Sequence, residues 1–361
     1  MKAWLPDPPA PATALAPMQD VTHHAFLSVL TSRSDPDYYV TEYFRVYPTS
    51  RPAPEIARCF RENPTPRPVA AQMIGRDPES LAETARILQD WGAAAIDLNL
   101  GCPAPIVCRK DAGGGLLRDP EHIHTLLATL RRVVSIPFTV KTRVGYESPA
   151  EFPRLLDVFR RHEIDTLVVH GRTVRDGYAT PVHEDCIAMA AATLPCPVIA
   201  NGNAVSAATA LELCRRTGAR GVMIGRGAIR NPWIFRQIRE SAAGQPVFQP
   251  TLRDLLAYIQ DLWDATTRTG SAPLKQANAI KRYAKYIASG VDPEGAFLDQ
   301  VRRARSPEEF FRCCETWLDR PDPAPDLPTT GSPHFRGFET LLAPAPQSTP
   351  HPPATNAVES A

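Results

Sequence analysis

The sequence predicts an α/β chain, a (β/α)8 TIM barrel followed by a small C-terminal helical bundle. Three observations carry that expectation. Eight short apolar runs alternate with eight amphipathic stretches between residues 13 and 243, matching a closed parallel barrel in count and length. The C-terminal ends of those runs are polar, where barrel proteins carry their chemistry. Beyond Pro250 the strand patterning stops and only helix-like stretches remain.

In chain order, the strand-like runs are residues 13–17, 38–43, 69–73, 95–100, 138–142, 166–170, 198–200 and 221–224. The helices that follow them fall near 22–32, 54–62, 78–91, 120–133, 149–162, 184–193, 205–216 and 232–241. In the third of these, Leu81, Ala85 and Leu88 share one face. A doubly wound open sheet is the competing fold. It normally carries a phosphate loop after its first strand, and none follows residues 13–17. Residues 244–250 read as a linker, and helices are expected near 252–267, 274–289, 293–303 and 307–318. The expected division is a Pro-rich leader (1–12), a barrel (13–243), a helical domain (251–320) and a disordered Pro-rich tail (321–361).

The formal net charge of +1 excludes attraction of nucleic acid by the molecule as a whole, so any such role must use a local patch. Eight irregularly spaced cysteines and no signal-peptide pattern point to a reducing cytoplasm. No apolar run is long enough to span a bilayer. Cys102 and Cys108 lack a third ligand at metal spacing, so no metal is expected.

The strand ends hold Pro17-Met18, Glu42, Gln72, Asn99 with Cys102, Lys141 with Arg143, His170 with Arg172, Asn201-Gly-Asn203 and Gly225-Arg-Gly227. Any one of these is ordinary loop polarity. A full ring is harder to explain as solvated surface. The run Asp97-Leu-Asn-Leu-Gly-Cys-Pro103 pins Cys102 between Gly101 and Pro103 just past a strand. The small residues around Gly202 and Gly225 follow strands seven and eight, where backbone amides approach a phosphate, and Arg226 adds charge. With Gln72, Lys141 and His170, this pattern suggests a flavin whose reduced ring Lys141 stabilises.

These residues carry a resemblance. Leu15-Ala-Pro-Met18, Thr41-Glu-Tyr43, the Cys102 run, Gly113-Gly-Gly-Leu-Leu117, Val140-Lys-Thr-Arg-Val-Gly145, Val169-His-Gly-Arg-Thr173, Ile199-Ala-Asn-Gly202 and Met223-Ile-Gly-Arg-Gly227 resemble the tRNA-dihydrouridine synthases, in the family's order. The likeness runs from about Leu15 to Leu318 and is nearest the bacterial branch acting on the D-loop around position 16. It implies FMN reduced by NADPH, hydride transfer to C6 of a uracil, and Cys102 as the acid that protonates C5. An unperturbed thiol, which titrates at about 8.5, suits that task.

By the same matching, FMN would be bound by Pro17, Met18, Gln72, Lys141, His170, Asn201, Gly202, Asn203, Gly225 and Arg226. Asn99 would orient the uracil. Arg45, Arg143, Tyr178, Lys281, Tyr286 and Arg302 would contact tRNA. The expected partner is tRNA alone, with no DNA and no membrane, and the chain is expected to act as a monomer. The sequence departs from the family pattern at Pro105 (usually Lys), at Asn203 (usually an acid in this branch) and near Ala279, where an arginine is absent. These departures bear on the tRNA position more than on the reaction.

Between Asp264 and Asp292 there is no acidic residue, while Arg268, Lys275, Lys281, Arg282 and Lys285 interleave with Tyr283 and Tyr286. Basic and aromatic groups together suit backbone contact and base stacking. A solvated helix face is the usual fate of such a run. Two other functions compete: a flavin oxidoreductase acting on a free pyrimidine, and a catalytically dead RNA-binding barrel.

Overall fold

Nine parallel strands form one sheet in the computed structural model, which describes residues 5, 10–177, 180–267, 272–292 and 295–319. They are β1 (Ala12–Leu15), β2 (Tyr38–Val40), β3 (Phe44–Arg45), β4 (Val69–Ile74), β5 (Ala95–Leu100), β6 (Phe138–Arg143), β7 (Thr166–His170), β8 (Val198–Asn201) and β9 (Gly221–Ile224). The hydrogen-bonded order is β2-β1-β9-β8-β7-β6-β5-β4-β3, and a β2–β4 pairing closes the barrel. Both β2 and β3 pair with β4, so they are two pieces of one stave. The eight expected staves are therefore present. The second is interrupted at residues 41–43, where Thr41 Oγ1 accepts from Gln72 N and donates to Glu42 O. Such local side-chain bonds compete with the ladder.

Several helices start where the sequence supplies a capping side chain. Asp77 before Pro78 accepts from Ser80 N, and Asp119 before Pro120 accepts from His122 N. Ser206, Thr251 and Ser306 cap later helices in the same way. The helix expected over 149–162 is a capped 3-10 turn, Pro149–Glu151, leading into Phe152–Arg160.

Strand alternation divides the barrel's side chains between two cores. Outward residues such as Leu98, Val140, Leu167 and Val169 pack under the helices. Inward residues at the lower level are mostly small: Ala12, Ala14, Ala70 and Ala95, with Tyr38, Val168, Ile199 and Met223 filling the centre. The next inward positions up are Gln72, Asn99, Lys141, His170 and Asn201. Register places Asn99 beside Lys141, and His170 beside Asn201.

The linker at residues 244–250 is tied down. Phe248 packs on Trp233 with ring centroids 5.9 Å apart, and its amide donates to Glu240 at 2.7 Å. The bundle comprises helices Leu252–Thr266, Pro273–Val291, Ala296–Arg303 and Pro307–Leu318. One apolar cluster runs from the barrel shell into it through Leu255, Tyr258 and Ile259. Tyr258 donates to Ile229 O at 2.9 Å. Tyr283, read above as a candidate RNA-stacking ring, is wholly buried. It stacks on Phe26 at 5.7 Å, and its hydroxyl lies 2.9 Å from His23 Nε2. Arg282 donates to Asp20 O at 2.9 Å. The basic helix is thus bolted to the loop after β1.

Tyr283→Ala removes a fully buried ring from that joint. We expect a loss of about 3–5 kcal/mol in urea unfolding, the range for burying then deleting a large aromatic. A change below about 1 kcal/mol, within the range of an ordinary surface substitution, would mean that the ring does not hold the bundle in place.

Candidate active site

One hydrogen-bond chain sets the position of Cys102. Thr139 Oγ1 donates to Asp97 Oδ1 deep in the barrel, and Gln72 Nε2 donates to Asp97 Oδ2 at 2.7 Å. Asn99 Nδ2 donates to Gln72 Oε1 at 2.8 Å. Asn99 Oδ1 then accepts the amides of Gly101 and Cys102 at 3.0 and 2.9 Å. Strand periodicity puts Asp97 and Asn99 on the same inward face, and the Asn99 amide turns the chain so that Cys102 leaves the strand at a fixed angle.

The loop is also backed from behind. Gly114 N donates to Cys102 O at 3.0 Å, in the 3-10 segment Gly113–Arg118. A Cβ at Gly113 would stand 3.0 Å from Cys102 Cβ, and that residue's φ is +53°. A Cβ at Gly114 would stand 2.9 Å from Cys102 O, and one at Gly115 would stand 2.7 Å from Cys108 O. Gly114 and Gly115 thus lie against backbone, while Gly113 is crowded by the side chains of Ile74, Cys102 and Val107. The short Pro105–Cys108 helix completes the support, and Cys108 Sγ lies 3.4 Å from Cys102 O.

Cys102 opens on a cleft of about 920 Å³ at the C-terminal mouth of the barrel. Of the residues singled out from sequence, Pro17, Met18, Arg45, Asn99, Lys141, Arg143, His170, Asn201, Gly202, Asn203, Gly225, Arg226 and Tyr286 line it with Cys102. Among the described residues the charged lining is five cations, Arg45, Lys141, Arg143, Arg172 and Arg226, against one carboxylate, Glu42. Burial raises the Glu42 pKa, which weakens that one negative charge further. The cleft therefore favours an anion.

Burial, with Arg143 next, lowers the Lys141 pKa to about 8. Among the described residues its ammonium has no hydrogen-bond acceptor, and it faces the cleft. Burial also drives the His170 pKa well down, with Arg143 and Lys141 adding to the effect, so the ring is neutral. Arg172 Nη1 lies 3.3 Å from His170 Nε2. A guanidinium only donates, so Nε2 accepts and the ring proton sits on Nδ1. Arg172 is 1% exposed, and its Nη2 donates to Asn203 Oδ1 at 2.9 Å. That bond helps hold Asn203 in the left-handed region, φ +56°, next to Gly202 at φ +122°. After the neighbouring strand β9, Gly225 precedes the short Arg226–Arg230 helix. A Cβ added at Gly225 would stand 3.4 Å from Met18 Sδ and 3.5 Å from Ala16 Cβ.

Several expected residues lie elsewhere. Gln72 does not line the cleft, because both ends of its amide are engaged by Asp97 and Asn99. Arg143 reaches the cleft but is 3% exposed, and it donates to Gly101 O and Thr173 O, bracing the two loops. Lys281 turns away to the carbonyls of Arg302 and Ala304, capping the Ala296–Arg303 helix. Arg302 faces Asp299 at 3.7 Å and does not line the cleft. Tyr178 and Arg268 fall outside the described residues. Sequence patterning leaves Tyr43, Gln19 and the backing role of Gly113–Gly115 unassigned. The glycine run is the legible signal, since three adjacent residues without side chains imply a close backbone approach.

The dihydrouridine synthase (Dus) family model matches residues 14–320. A tRNA-dihydrouridine(16) synthase of Pseudomonas syringae pv. tomato is 35% identical over 261 residues, covering 70% of this chain and 82% of that protein. A tRNA-dihydrouridine synthase B of Xanthomonas axonopodis pv. citri is 35% identical over 314 residues, covering 86% and 93%. Among solved structures, histamine dehydrogenase from Rhizobium sp. 4-9 superposes with a TM-score of 0.51 at 11% identity, over 70% of this chain and 48% of that one. This last likeness concerns the fold alone.

Gly113→Ala tests the backing of the cysteine loop. The added methyl meets Cys102 Cβ and demands an unfavourable φ. We expect the variant to fold and to alkylate at Cys102 at a rate changed by about threefold, a difference of about 0.65 kcal/mol. A wild-type alkylation rate would show that the loop does not depend on that contact.

Proposed function

The chain belongs to the dihydrouridine synthase family, and we propose that it is an FMN-dependent tRNA-dihydrouridine synthase that reduces the C5–C6 double bond of a D-loop uridine with NADPH. The observation that supports the reading is the pairing, within one cationic cleft, of a locked thiol with a half-buried lysine that has no acceptor among the described residues. The names of the two relatives point to tRNA, and one of them to position 16.

The residues present fit FMN. A phosphate suits the lip formed by Asn203, Gly225 and Arg226, where small residues and the start of a helix leave amide groups available. The ring system suits the floor between Met18, Lys141 and His170, with the His170 Nδ1 proton available as a donor. Gln72 supports that floor from behind through Asn99. The chemistry that a bound FMN supplies is hydride delivery to C6, after reduction by NADPH.

The protein's own groups do the rest. Cys102 holds a proton at Sγ on the side of the cleft away from the phosphate lip, and it gives that proton to C5. Asn99 fixes the loop that carries Cys102 and stands in the cleft wall beside the uracil. Lys141 stabilises negative charge that develops in the cleft. Tyr286 brings the helical bundle to the mouth, and Lys285 lies 4.7 Å over its ring, so the substrate RNA would be gripped where bundle and barrel meet. Arg45 stands exposed on the rim, where phosphate would pass.

Two outcomes are expected. Cys102→Ala should purify yellow, with bound flavin, yet lose about 10²-fold or more in tRNA reduction. Full activity in that variant would remove the acid role. FMN affinity, followed by quenching of flavin fluorescence, should fall as pH rises through about 8, where the free Lys141 ammonium loses its proton. The sign follows from linkage: binding favours the charged lysine, so it takes up a proton and weakens above that pKa. Lys141→Met should flatten the profile, and an equally steep profile in that variant would assign the titration to another group.

A further inference from the structure

We propose that the outer face of the turn at residues 105–110 is a ledge for the RNA that flanks the reacting nucleotide: Ile106 takes the neighbouring base, and Arg109 and Lys110 take the phosphates beside it. The inference rests on the reading of the cleft as a uridine site in tRNA, and it names further residues that hold the substrate there.

Burial along the turn is one-sided. Val107 and Cys108 are buried, while Ile106, Arg109 and Lys110 are exposed. Arg109 keeps helical backbone angles, and its amide donates to Pro105 O at 3.0 Å. Ile106 and Arg109, three residues apart, are therefore neighbours on one face. Lys110 follows, its amide donating to Val107 O at 3.0 Å. Ile106 is 55% exposed, and of the large apolar side chains exposed among the described residues it alone lines the cleft.

The face is fixed in place and its charge is unbalanced. Asp111, in the left-handed region at φ +49°, ends the turn. Its carboxylate accepts from Arg118 at 2.8 Å and from Arg76 at 2.9 Å. Arg118 also donates to Cys108 O at 2.9 Å, which ties the turn to the segment behind it. The one acid of the turn is thus matched by two other arginines. Neither Arg109 nor Lys110 has a carboxylate partner among the described residues.

A base that is to lie beside Cys102 must leave its stack, which strips a flanking base of its own stacking partner. The loop that positions the cysteine offers that flanking base an apolar surface four residues further on. It offers the adjoining backbone two cations, the pairing that suits single-stranded RNA.

The test is binding of unmodified tRNA to the full chain, followed by fluorescence anisotropy at several salt concentrations. Arg109→Ala combined with Lys110→Ala is expected to lower the slope of log affinity against log salt by about 1.4, at about 0.7 for each phosphate contact on a single strand. Ile106→Ala is expected to weaken binding about fivefold with the slope unchanged, the low end for removing a side chain on which a base stacks. Ile106→Phe, which keeps an apolar surface, should restore the affinity. All three variants should melt with the wild type, as exposed substitutions do. A wild-type slope in the paired variant, or wild-type affinity in Ile106→Ala, overturns the inference. If the wild-type chain binds tRNA and the variants respond as expected, yet no tRNA is reduced, the function proposed above fails and the ledge stands.

Discussion

The bond from Asn99 Oδ1 to the amides of Gly101 and Cys102 is the constraint on which the site depends. It is the last link of a chain that begins at Thr139 and passes through Asp97 and Gln72. Each member occupies an inward position on a neighbouring strand, so the closed barrel itself sets the cysteine's angle. A surface loop of this length would sample many conformations. Here both sides of the loop are engaged, by Asn99 in front and by the glycine backbone behind.

The same alternation builds the electrostatics. Small apolar side chains fill the lower interior, and the next inward layer is polar. Cations then converge on a confined space: Lys141 is pushed towards neutrality and His170 is held neutral. Arg172 and Arg143 meet backbone or side-chain acceptors, which lets them remain charged while buried. Lys141 has no such acceptor among the described residues, and its ammonium faces the cleft.

Much of this was legible in the sequence. The strands over 95–100, 166–170 and 221–224 and the helices over 184–193 and 307–318 lie where the patterning placed them. The ring of polar strand ends was readable because period-two alternation is local. Partners were not readable. Lys281 shares a helix face with Lys285, yet its ammonium caps another helix, and Tyr283 belongs to the joint with the barrel. Arg143 ends β6, and Gln72 lies two residues before the end of β4; the hydrogen bonds of both commit them to holding other residues. The interruption of the second stave was also invisible, since Thr41, Glu42 and Tyr43 read as a continuation of an apolar strand.

The bundle and barrel form one apolar body, and Tyr286 extends the cleft wall onto the bundle, so the mouth is shaped for a substrate that touches both. The most direct measurement is a map of dihydrouridine in tRNA from cells lacking this gene, before and after the full chain is returned. Loss at one D-loop position, with restoration by the returned chain, is the predicted result. Dihydrouridine unchanged at every position would contradict the account.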